Sequence, residues 1–285
     1  MIIALSGSSG FIGQAFIKKI RKKGWTIKEI NRDSFSMSDE KFLEEKIEGT
    51  DVVINLAGAP VTRKWTPEYK QEILDSRVNT TRKISSAINM AQQKPSVFIS
   101  TSAVGIYDSA HSHTESSSLY ACSFLARTCN EWEHEAMSAD SSSRVVIFRI
   151  GVVLGPDGGA LAKMHKPFSI GLGGKIGTGE QPVSFIHLDD LIDALIFTIE
   201  TPSIRGIVNA VSPYPSFNSE FSEILGKVLG QPVWLTIPAF AMKMIYGEGA
   251  QVLLEGQKVL PEKLLQAGFR FKYPTIQNAL VQIYG

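Results

Sequence analysis

Short apolar runs alternate with longer segments of helical spacing along most of this 285-residue chain. The first apolar run, Ile2–Ser6, is followed by a glycine-rich turn and by a helical pattern over Phe11–Lys23 that ends at Gly24. Strands separated by helices of this length pair in parallel through right-handed crossovers. The sequence therefore predicts an α/β fold with a Rossmann-type, doubly wound parallel sheet.

Later elements continue this alternation as far as residue 210. The run DVVINLA at 51–57 is almost wholly apolar, which is typical of a strand buried on both faces. Thr66 and Pro67 supply an N-cap and a proline at the first helical position, so one long helix is predicted from Thr66 to about Ala91. Further strands are predicted over Thr26–Asn31, Val97–Ser100, Val145–Ile150, Val183–Ile186 and Val208–Ala210, and further helices over Glu40–Ile47, over Phe124–Ala139 and from Asp189 onward.

The pattern loosens after Gly155 and leads into the glycine-rich segment Gly171–Gly179. From residue 217 onward, short helical patterns are separated by prolines and brief extended pieces. The predicted helices are Phe217–Leu229, Pro261–Ala267 and Thr275–Ile283, and the predicted extended pieces are Val233–Ile237 and Phe269–Tyr273. This part of the chain predicts a small mixed α/β C-terminal lobe.

Composition and charge exclude several classes of protein. A hydrophobic fraction of 44% with 20% charged residues excludes a disordered chain. The formal net charge is +1, from 29 basic and 28 acidic residues, which gives no overall field for a polyanion. The basic cluster within Lys18–Lys23 lies on a predicted helix and indicates a solvated face rather than a nucleic-acid patch. No nucleic-acid partner is expected.

Membrane, export and metal signals are also missing from the pattern. Apolar runs stop short of the roughly 18 residues that a membrane span needs, and Met1–Ser6 lacks the basic region of a signal peptide. Two cysteines, Cys122 and Cys129, are too few for a disulfide framework, which favours the cytoplasm. His111, His113, His134, Glu131 and Glu135 lack a metal-binding spacing, so no metal is predicted.

The turn after the first strand reads Gly7-Ser8-Ser9-Gly10-Phe11-Ile12-Gly13. Glycines between a strand and a helix allow a tight turn, a close approach of pyrophosphate and close helix packing. Free N–H groups at the start of the helix bind phosphate. The context favours dinucleotide binding over a purely structural turn, with contacts from Gly7, Ser9, Gly10, Phe11, Ile12 and Gly13.

The end of the second predicted strand indicates which dinucleotide binds. An NAD enzyme usually has an acidic residue there for the ribose 2′-hydroxyl, whereas this chain has Asn31 and Arg32. A guanidinium suits a 2′-phosphate, so NADP(H) is favoured over NAD(H). The alternative is a solvated Arg32 with Asp33 as the acidic group.

Several longer motifs resemble the extended short-chain dehydrogenase/reductases. They are GSSGFIG at 7–13, NLAGAP at 55–60, ISTSA at 99–103 and FIHLDDL at 185–191. Segments 63–78, 148–164 and 256–274 resemble the nucleotide-sugar-epimerase-like subfamily that includes bacterial cell-division-inhibitor-like and mammalian short-chain 39U-type proteins. The resemblance implies cofactor contacts from Ala57, Gly58, Asn79, Ser100, Arg149 and Gly151, and a substrate-side loop at Gly171–Gly179 with Gln181.

The same resemblance implies a catalytic serine, but not the usual acid/base pair. Ser102 lies at the family's serine position, whereas segment 123–133, where the family carries Tyr-x-x-x-Lys, has neither a tyrosine nor a lysine. Tyr107 and Tyr120 are the nearest phenols, and each is either a substitute acid/base or an ordinary packed aromatic residue. His187 and Asp189 are interpreted as structural, with Asp189 capping the next helix, and the alternative is a contact with substrate.

Two functions are compatible with these residues. The first is an NADP(H)-dependent oxidoreductase or epimerase-like enzyme acting on a small carbonyl-bearing or nucleotide-linked substrate. The second is a non-catalytic NADP-binding sensor or interaction protein. Residues 1–165 and about 187–212 would form the NADP-binding core, and about 166–186 and 213–285 the substrate lobe. By resemblance, the helices at 66–91 and 124–139 could pair in a homodimer.

Overall fold

The structure of the protein is a computed structural model that describes residues 1–36 and 41–285. The predicted helix start at Glu40 lies outside the described residues. Six strands form one parallel sheet, and smaller strands pair two by two around it. The strands are β1 (Ile2–Ser6), β2 (Thr26–Ile30), β3 (Val52–Asn55), β4 (Val97–Ala103), β5 (Ser112–His113), β6 (Arg144–Ile150), β7 (Val152–Leu154), β8 (Gly174–Ile176), β9 (Pro182–Val183), β10 (Phe185–His187), β11 (Gly206–Ala210), β12 (Ser216–Phe217), β13 (Leu235–Ile237) and β14 (Lys258–Val259).

Helices cover both faces of the six-stranded sheet, whose order is β11-β6-β4-β3-β1-β2. The predicted doubly wound α/β fold is confirmed. The helices are α1 (Phe11–Arg21), α2 (Asp33–Ser36), α3 (Lys41–Ile47), α4 (Pro67–Asp75), α5 (Val78–Met90), α6 (Phe124–Met137), α7 (Gly159–Ser169), α8 (Leu188–Glu200), α9 (Asn218–Val228), α10 (Ala239–Tyr246), α11 (Gln251–Leu254), α12 (Glu262–Gln266) and α13 (Ile276–Tyr284).

The core of the sheet has two layers because neighbouring strand residues point to opposite faces. On β1, Ile3 and Leu5 pack with α1 and α8, whereas Ala4 packs on the other face with α3, α5 and α6. All three side chains are fully buried. This double burial explains why inner strands such as β1 and β3 are largely apolar rather than alternating.

The C-terminal lobe has a separate apolar cluster. Phe168 of α7 packs with Phe221 and Leu225 of α9 and with Leu280 of α13. Short strand pairs, including β8 with β13 and β9 with β12, complete this lobe. The small mixed lobe is confirmed, while the proposed division into two domains by residue number stays a prediction, as does the pairing of helices in a homodimer.

The predicted single helix from Thr66 to Ala91 is wrong, because the chain breaks between α4 and α5. Ser76 ends α4, and its hydroxyl accepts a 3.0 Å hydrogen bond from the Ala59 amide. The Arg77 guanidinium donates to the carbonyls of Ile73 and Ala59. The break therefore ties the two helices to the loop that follows β3.

Three further predictions in the second half are corrected by the structure. The loosened region after Gly155 contains helix α7, which the sequence analysis missed because Pro167 lies inside it. The predicted strand Val183–Ile186 is two strands separated at Ser184. Phe269–Tyr273 forms no strand, since the Asp190 carboxylate accepts the amides of Lys272 and Tyr273 that a strand would use.

His187, rather than Asp189, caps helix α8. Its Nδ1 accepts the Asp189 amide at 3.1 Å, which leaves Nε2 to donate to Gln282 at 2.7 Å. The ring also packs on Tyr273, with centroids 4.1 Å apart. Burial lowers the pKa of His187, because protonation would place a charge in the interior and convert the capping acceptor into a donor.

We expect acid to destabilise the fold through His187. The unfolded chain takes up a proton below about pH 6.5, whereas the folded state resists protonation, so the free energy of unfolding falls as pH drops through that value. His187→Asn keeps a capping acceptor that does not titrate. Urea unfolding at pH 7.5 and 5.5 measures how much the free energy of unfolding falls between these pH values. This fall should be about 1 kcal/mol smaller in the variant than in the native protein. The control is His134→Asn, at an exposed site on α6. If the free energy of unfolding falls equally in both variants, His187 is not the group that makes the fold acid-sensitive.

Candidate functional site

The carboxyl ends of the six parallel strands meet at one edge of the sheet, which we call the carboxyl edge. β1 lies between β2 and β3, so the chain leaves β1 at a point where the strand order reverses. A crevice at such a point is the usual ligand site of this architecture. The predicted residues at this edge are Gly7–Gly10, Asn31, Arg32, Ala57, Gly58, Ser102 and Arg149–Gly151.

The three glycines of the first turn have different physical roles. Gly7 has a φ of +72°, and a Cβ there would lie 2.7 Å from the Leu56 carbonyl carbon. A Cβ at Gly13 would lie 2.2 Å from the Gly7 carbonyl oxygen, so Gly13 allows α1 to approach the turn. Gly10 is exposed, and its Cβ would have only one close contact, at 3.2 Å. Gly10 therefore has open space in front of it, on the side where a ligand could approach.

The N-terminus of α1 fits a pyrophosphate group. Gly10 is the N-cap, no side chain caps the helix, and the first turn carries no acidic residue. The first N–H groups of a helix have no partner within it, and the helix dipole favours an anion there. Ser9 is exposed beside them, while the Ser8 hydroxyl donates to Glu29 at 2.5 Å.

A second glycine cluster packs against the first residue of α1. Cβ atoms at Gly155, Gly158 and Gly159 would lie 2.8, 2.4 and 3.3 Å from the Phe11 ring. Gly158 is also the N-cap of α7. The ring of Phe11 thus joins the glycine turn at residues 7–13 to the start of the C-terminal lobe. The sequence analysis did not anticipate this contact.

Asn31 and Arg32 follow β2 at the carboxyl edge, and both are exposed. The Asn31 side chain accepts from the amide and hydroxyl of Ser34, so it holds the short helix α2 in place. Within residues 1–36 and 41–285, Arg32 forms no ion pair. Its guanidinium is therefore available to an anionic ligand.

The other predicted cofactor contacts lie in varied surroundings. Gly58 is exposed, and a Cβ there would lie 3.2 Å from the Arg77 guanidinium. A Cβ at Gly151 would lie 2.3 Å from the Ser184 carbonyl oxygen, which gives this glycine a packing role. Asn79 is exposed on α5, where it bonds to Asp75 and Arg82. Ser100 is buried within β4. Cofactor contacts from these residues and from Ala57 stay predictions.

A buried polar network crosses the ends of β4 and β6. Ser102 and Arg149 are register partners on these strands, and both are at most 3% exposed. The Glu133 carboxylate of α6 accepts from the Ser102 hydroxyl at 2.6 Å and from Arg149 Nε and Nη2 at 2.8 and 2.7 Å. Burial opposes the charge of Arg149, but the hydrogen bonds that it donates to Glu133 raise its pKa, so the guanidinium stays charged.

Two tyrosines lie beside the Arg149 guanidinium. Its carbon is 4.8 Å from the centroid of Tyr107 and 5.2 Å from that of Tyr120. The Tyr107 hydroxyl is 2.9 Å from Asn209 Oδ1 and 3.1 Å from the Thr114 carbonyl, and its side chain is fully buried. Burial raises the pKa of Tyr107, which makes it a poor acid/base group. Tyr120 is half-buried and accepts from Arg149 Nη2 at 3.2 Å.

Helix α6 carries two polar residues that the sequence analysis missed. Cys129 and Glu133 are one helical turn apart, so they share a face, and both interact with Ser102. Burial raises the pKa of the Cys129 thiol to about 11, which keeps it protonated. Arg149 could have indicated Glu133 from the sequence, because a charged residue inside an apolar strand needs a buried acidic partner.

The C-terminal lobe contacts the core beside the carboxyl edge. Lys163 of α7 donates to the Thr62 carbonyl at 3.0 Å, and Lys70 of α4 pairs with Glu248. Gln181 donates to the carbonyls of Ile176 and Leu253, which fastens the predicted substrate-side loop to the lobe. The loop residues 57–66 thus lie between the sheet and the lobe.

Neither a metal centre nor a membrane span is found in the part of the chain that the structure describes. No group of three or more His, Cys, Asp or Glu residues there has the arrangement of metal ligands. No helix in these ranges is both long enough and apolar enough to cross a bilayer.

Comparison with known families accounts for most of the chain. Residues 3–210 match the NAD dependent epimerase/dehydratase family, and residues 237–283 match a domain of unknown function, DUF1731. An Arabidopsis thaliana protein, the chloroplastic homolog of epimerase family protein SDR39U1, is 38% identical over 98% of this chain and 86% of its own length. The Mus musculus epimerase family protein SDR39U1 is 34% identical over 99% of both chains.

Solved structures show the same similarity. The crystal structure of human epimerase family protein SDR39U1 with NADPH has a TM-score of 0.92 and 31% identity, covering 100% of this chain and 99% of that one. UDP-glucuronic acid 4-epimerase from Bacillus cereus, in complex with UDP-glucuronic acid and NAD, has a TM-score of 0.81 over 100% of this chain and 98% of that one. Its 18% identity shows a shared fold alone.

The glycines of the first turn can be separated by substitution. Gly10→Val should leave the fold intact, at a cost of about 1 kcal/mol for the poorer N-cap, but abolish NADPH binding, because the side chain fills the open approach. Gly13→Ala should instead lower the thermal unfolding midpoint, since its Cβ would clash with the Gly7 carbonyl. Calorimetric titration and thermal unfolding measure the two effects, and tight NADPH binding by folded Gly10→Val would exclude this site.

Proposed function

The chain belongs to the NAD dependent epimerase/dehydratase family, and from that premise we propose that it is an NADP(H)-dependent oxidoreductase or epimerase-like enzyme. Its substrate would be a small carbonyl-bearing or nucleotide-linked molecule. The observation that carries this proposal is the uncapped N-terminus of α1 at the same edge as Arg32, which has no ion pair among the described residues. Together they provide donors for a pyrophosphate and a cation for a 2′-phosphate.

NADP(H) is proposed over NAD(H) for two reasons. Arg32 is exposed beside the turn, and a guanidinium binds phosphate through charge-assisted hydrogen bonds. The NADPH bound by the human relative, which is 31% identical along the whole chain, supports the same choice. NAD is bound by more distant structures of the same fold, such as the Bacillus cereus epimerase.

The proposed cleft lies between the carboxyl edge and the C-terminal lobe. The reduced cofactor would supply a hydride to a carbonyl carbon. Gly7–Gly13 and Arg32 would hold the dinucleotide, and Phe11, packed beneath Gly155–Gly159, would fix the turn. The ion pair between Lys70 and Glu248 would close one side of this cleft. Residues 1–165 with about 187–212 would form the cofactor-binding part, and the remainder the substrate-binding part.

We further propose a cytoplasmic protein whose partner is a small molecule. Both cysteines are free, with Cys122 exposed and Cys129 buried, as expected in a reducing compartment. The net charge of +1 offers no general attraction for nucleic acid.

A second candidate function is an NADP-binding sensor without catalysis. One observation favours it. Cys129 and Glu133 lie on the face of α6 that packs against Ser102, and the Ser102 hydroxyl donates a hydrogen bond to Glu133. That proton is then not available to polarise a substrate carbonyl unless the hydroxyl rotates.

A cofactor-consumption assay distinguishes the two functions. The purified protein, loaded with NADPH, is mixed with a fractionated cytoplasmic metabolite extract and with a panel of simple aldehydes and ketones. An enzyme should consume NADPH in at least one fraction, as measured by absorbance and mass spectrometry, and Gly10→Val should not. Tight NADPH binding with no consumption in any fraction would favour the sensor.

Cofactor preference should depend on Arg32. Arg32→Asp should remove the preference for NADPH over NADH, because a carboxylate repels the 2′-phosphate and accepts from a free 2′-hydroxyl. The difference in binding free energy between the two cofactors should change by about 1.5–3 kcal/mol. Arg21→Asp makes the same charge change at the far end of α1 and should leave the preference unchanged. Calorimetric titration with both cofactors measures this difference. A native protein that already prefers NADH would contradict the assignment and point to Asp33.

A further inference from the structure

We propose that Tyr120 is the proton donor of this site, and that the buried pair of Glu133 and Arg149 positions it in place of a lysine. The inference rests on the proposed reductase function, and it names the group that the sequence left unassigned. Its basis is the set of hydrogen bonds around Arg149, which shows for each hydroxyl group whether its proton is already donated to an acceptor.

The protons of two hydroxyl groups in this network are already engaged. Ser102 donates to Glu133 at 2.6 Å, and Tyr107 is within donating distance of Asn209 Oδ1 and the Thr114 carbonyl. A carboxylate and a carbonyl can only accept, so these protons are fixed. Neither hydroxyl can donate to a ligand without breaking a buried hydrogen bond.

Tyr120 has the opposite arrangement. Its oxygen accepts from Arg149 Nη2 at 3.2 Å, and its own proton has no acceptor within the described ranges of the chain. The side chain is half-buried, whereas Ser102, Tyr107 and Arg149 are all at most 3% exposed. Among the described residues, Tyr120 is therefore the hydroxyl group of this network that lies on a partly exposed side chain and whose proton is available to a ligand.

The Glu133–Arg149 pair holds the Tyr120 oxygen through two elements of the core. Glu133 on α6 binds two nitrogens of the guanidinium, which fixes its plane, and the rings of Tyr107 and Tyr120 lie against it. A guanidinium at this position stabilises a phenolate without exchanging protons itself. Arg149 thus provides the positive charge that the missing lysine would supply.

The proposed proton step is balanced. Tyr120 donates its hydroxyl proton to the carbonyl oxygen as the hydride from the reduced cofactor reaches the carbonyl carbon, which gives an alcohol and the oxidised cofactor. The phenolate remains next to Arg149 and recovers a proton from water. Among the described residues, Arg149 and Tyr107 contact Tyr120 directly, and Cys129 belongs to the same apolar cluster. Glu133 binds Arg149, His113 stacks on Tyr107, and Glu115 acts on Tyr107 through its charge.

Activity measurements provide the first test. In a carbonyl reduction found by the cofactor-consumption assay, Tyr120→Phe should lower kcat by about 100-fold or more and leave NADPH affinity unchanged. Tyr107→Phe is the matched comparison and should lower kcat by less than about 10-fold, below the range for a lost proton donor. Equal losses in the two variants, or a normal rate in Tyr120→Phe, would overturn the assignment.

A substrate-free measurement provides the second test. In protein labelled with 13Cζ-tyrosine, Tyr120→Phe identifies the Tyr120 signal. Glu133→Gln leaves the Arg149 charge unbalanced, so this signal should titrate at lower pH, by about 1 unit or more. Because loss of Glu133 destabilises the core, Arg149→Lys is measured in parallel and should also move the titration. An unchanged titration in both variants would overturn the positioning role.

The two tests separate the inference from the proposed function. If no carbonyl compound is reduced but the Tyr120 titration responds to both variants, the reductase function is wrong and the coupling of Tyr120 to Arg149 and Glu133 stands. If a carbonyl compound is reduced equally well by Tyr120→Phe, the reductase function stands and Tyr120 is not the donor.

Discussion

The buried ion pair between Glu133 and Arg149 is the interaction on which the carboxyl edge depends. It joins helix α6 to strand β6, and through Ser102 it reaches β4 as well. Removing one partner of such a pair leaves an uncompensated buried charge, which costs about 3–5 kcal/mol. The pair therefore fixes three elements relative to one another at the place where the strands end.

The same pair extends its influence across the sheet through Tyr107. The ring of this residue lies against Arg149, and its hydroxyl reaches Asn209 of β11. Glu115 accepts the amides of Asn209 and Lys263, so the chain of contacts continues to the C-terminal lobe. An arrangement of this kind is rigid because Ser102, Glu133, Arg149 and Asn209 are each held by at least one buried hydrogen bond. The proposed substrate-side loops would thus be built on a fixed base.

Most of the sheet could be predicted from the sequence, whereas the centre of the site could not. Short apolar runs such as Val145–Ile150 indicate buried strands by their length, and the glycines between β1 and α1 indicate a tight turn. Glu133 lies in a helix rich in polar residues, and only its approach to Arg149 in three dimensions distinguishes it from Glu131 or Glu135. The break at Ser76 was also hidden, because its cause is a contact with Ala59, 17 residues away. Interactions between distant residues leave no local pattern.

The contact of Phe11 with Gly155, Gly158 and Gly159 links two segments separated by about 145 residues of sequence. A side chain added at any of the three glycines would meet the ring. The two segments can therefore diverge only together during evolution. In an alignment of relatives, a smaller residue at position 11 should accompany the loss of these glycines. Correlated substitutions at these positions would therefore reflect the packing of the glycine turn at residues 7–13.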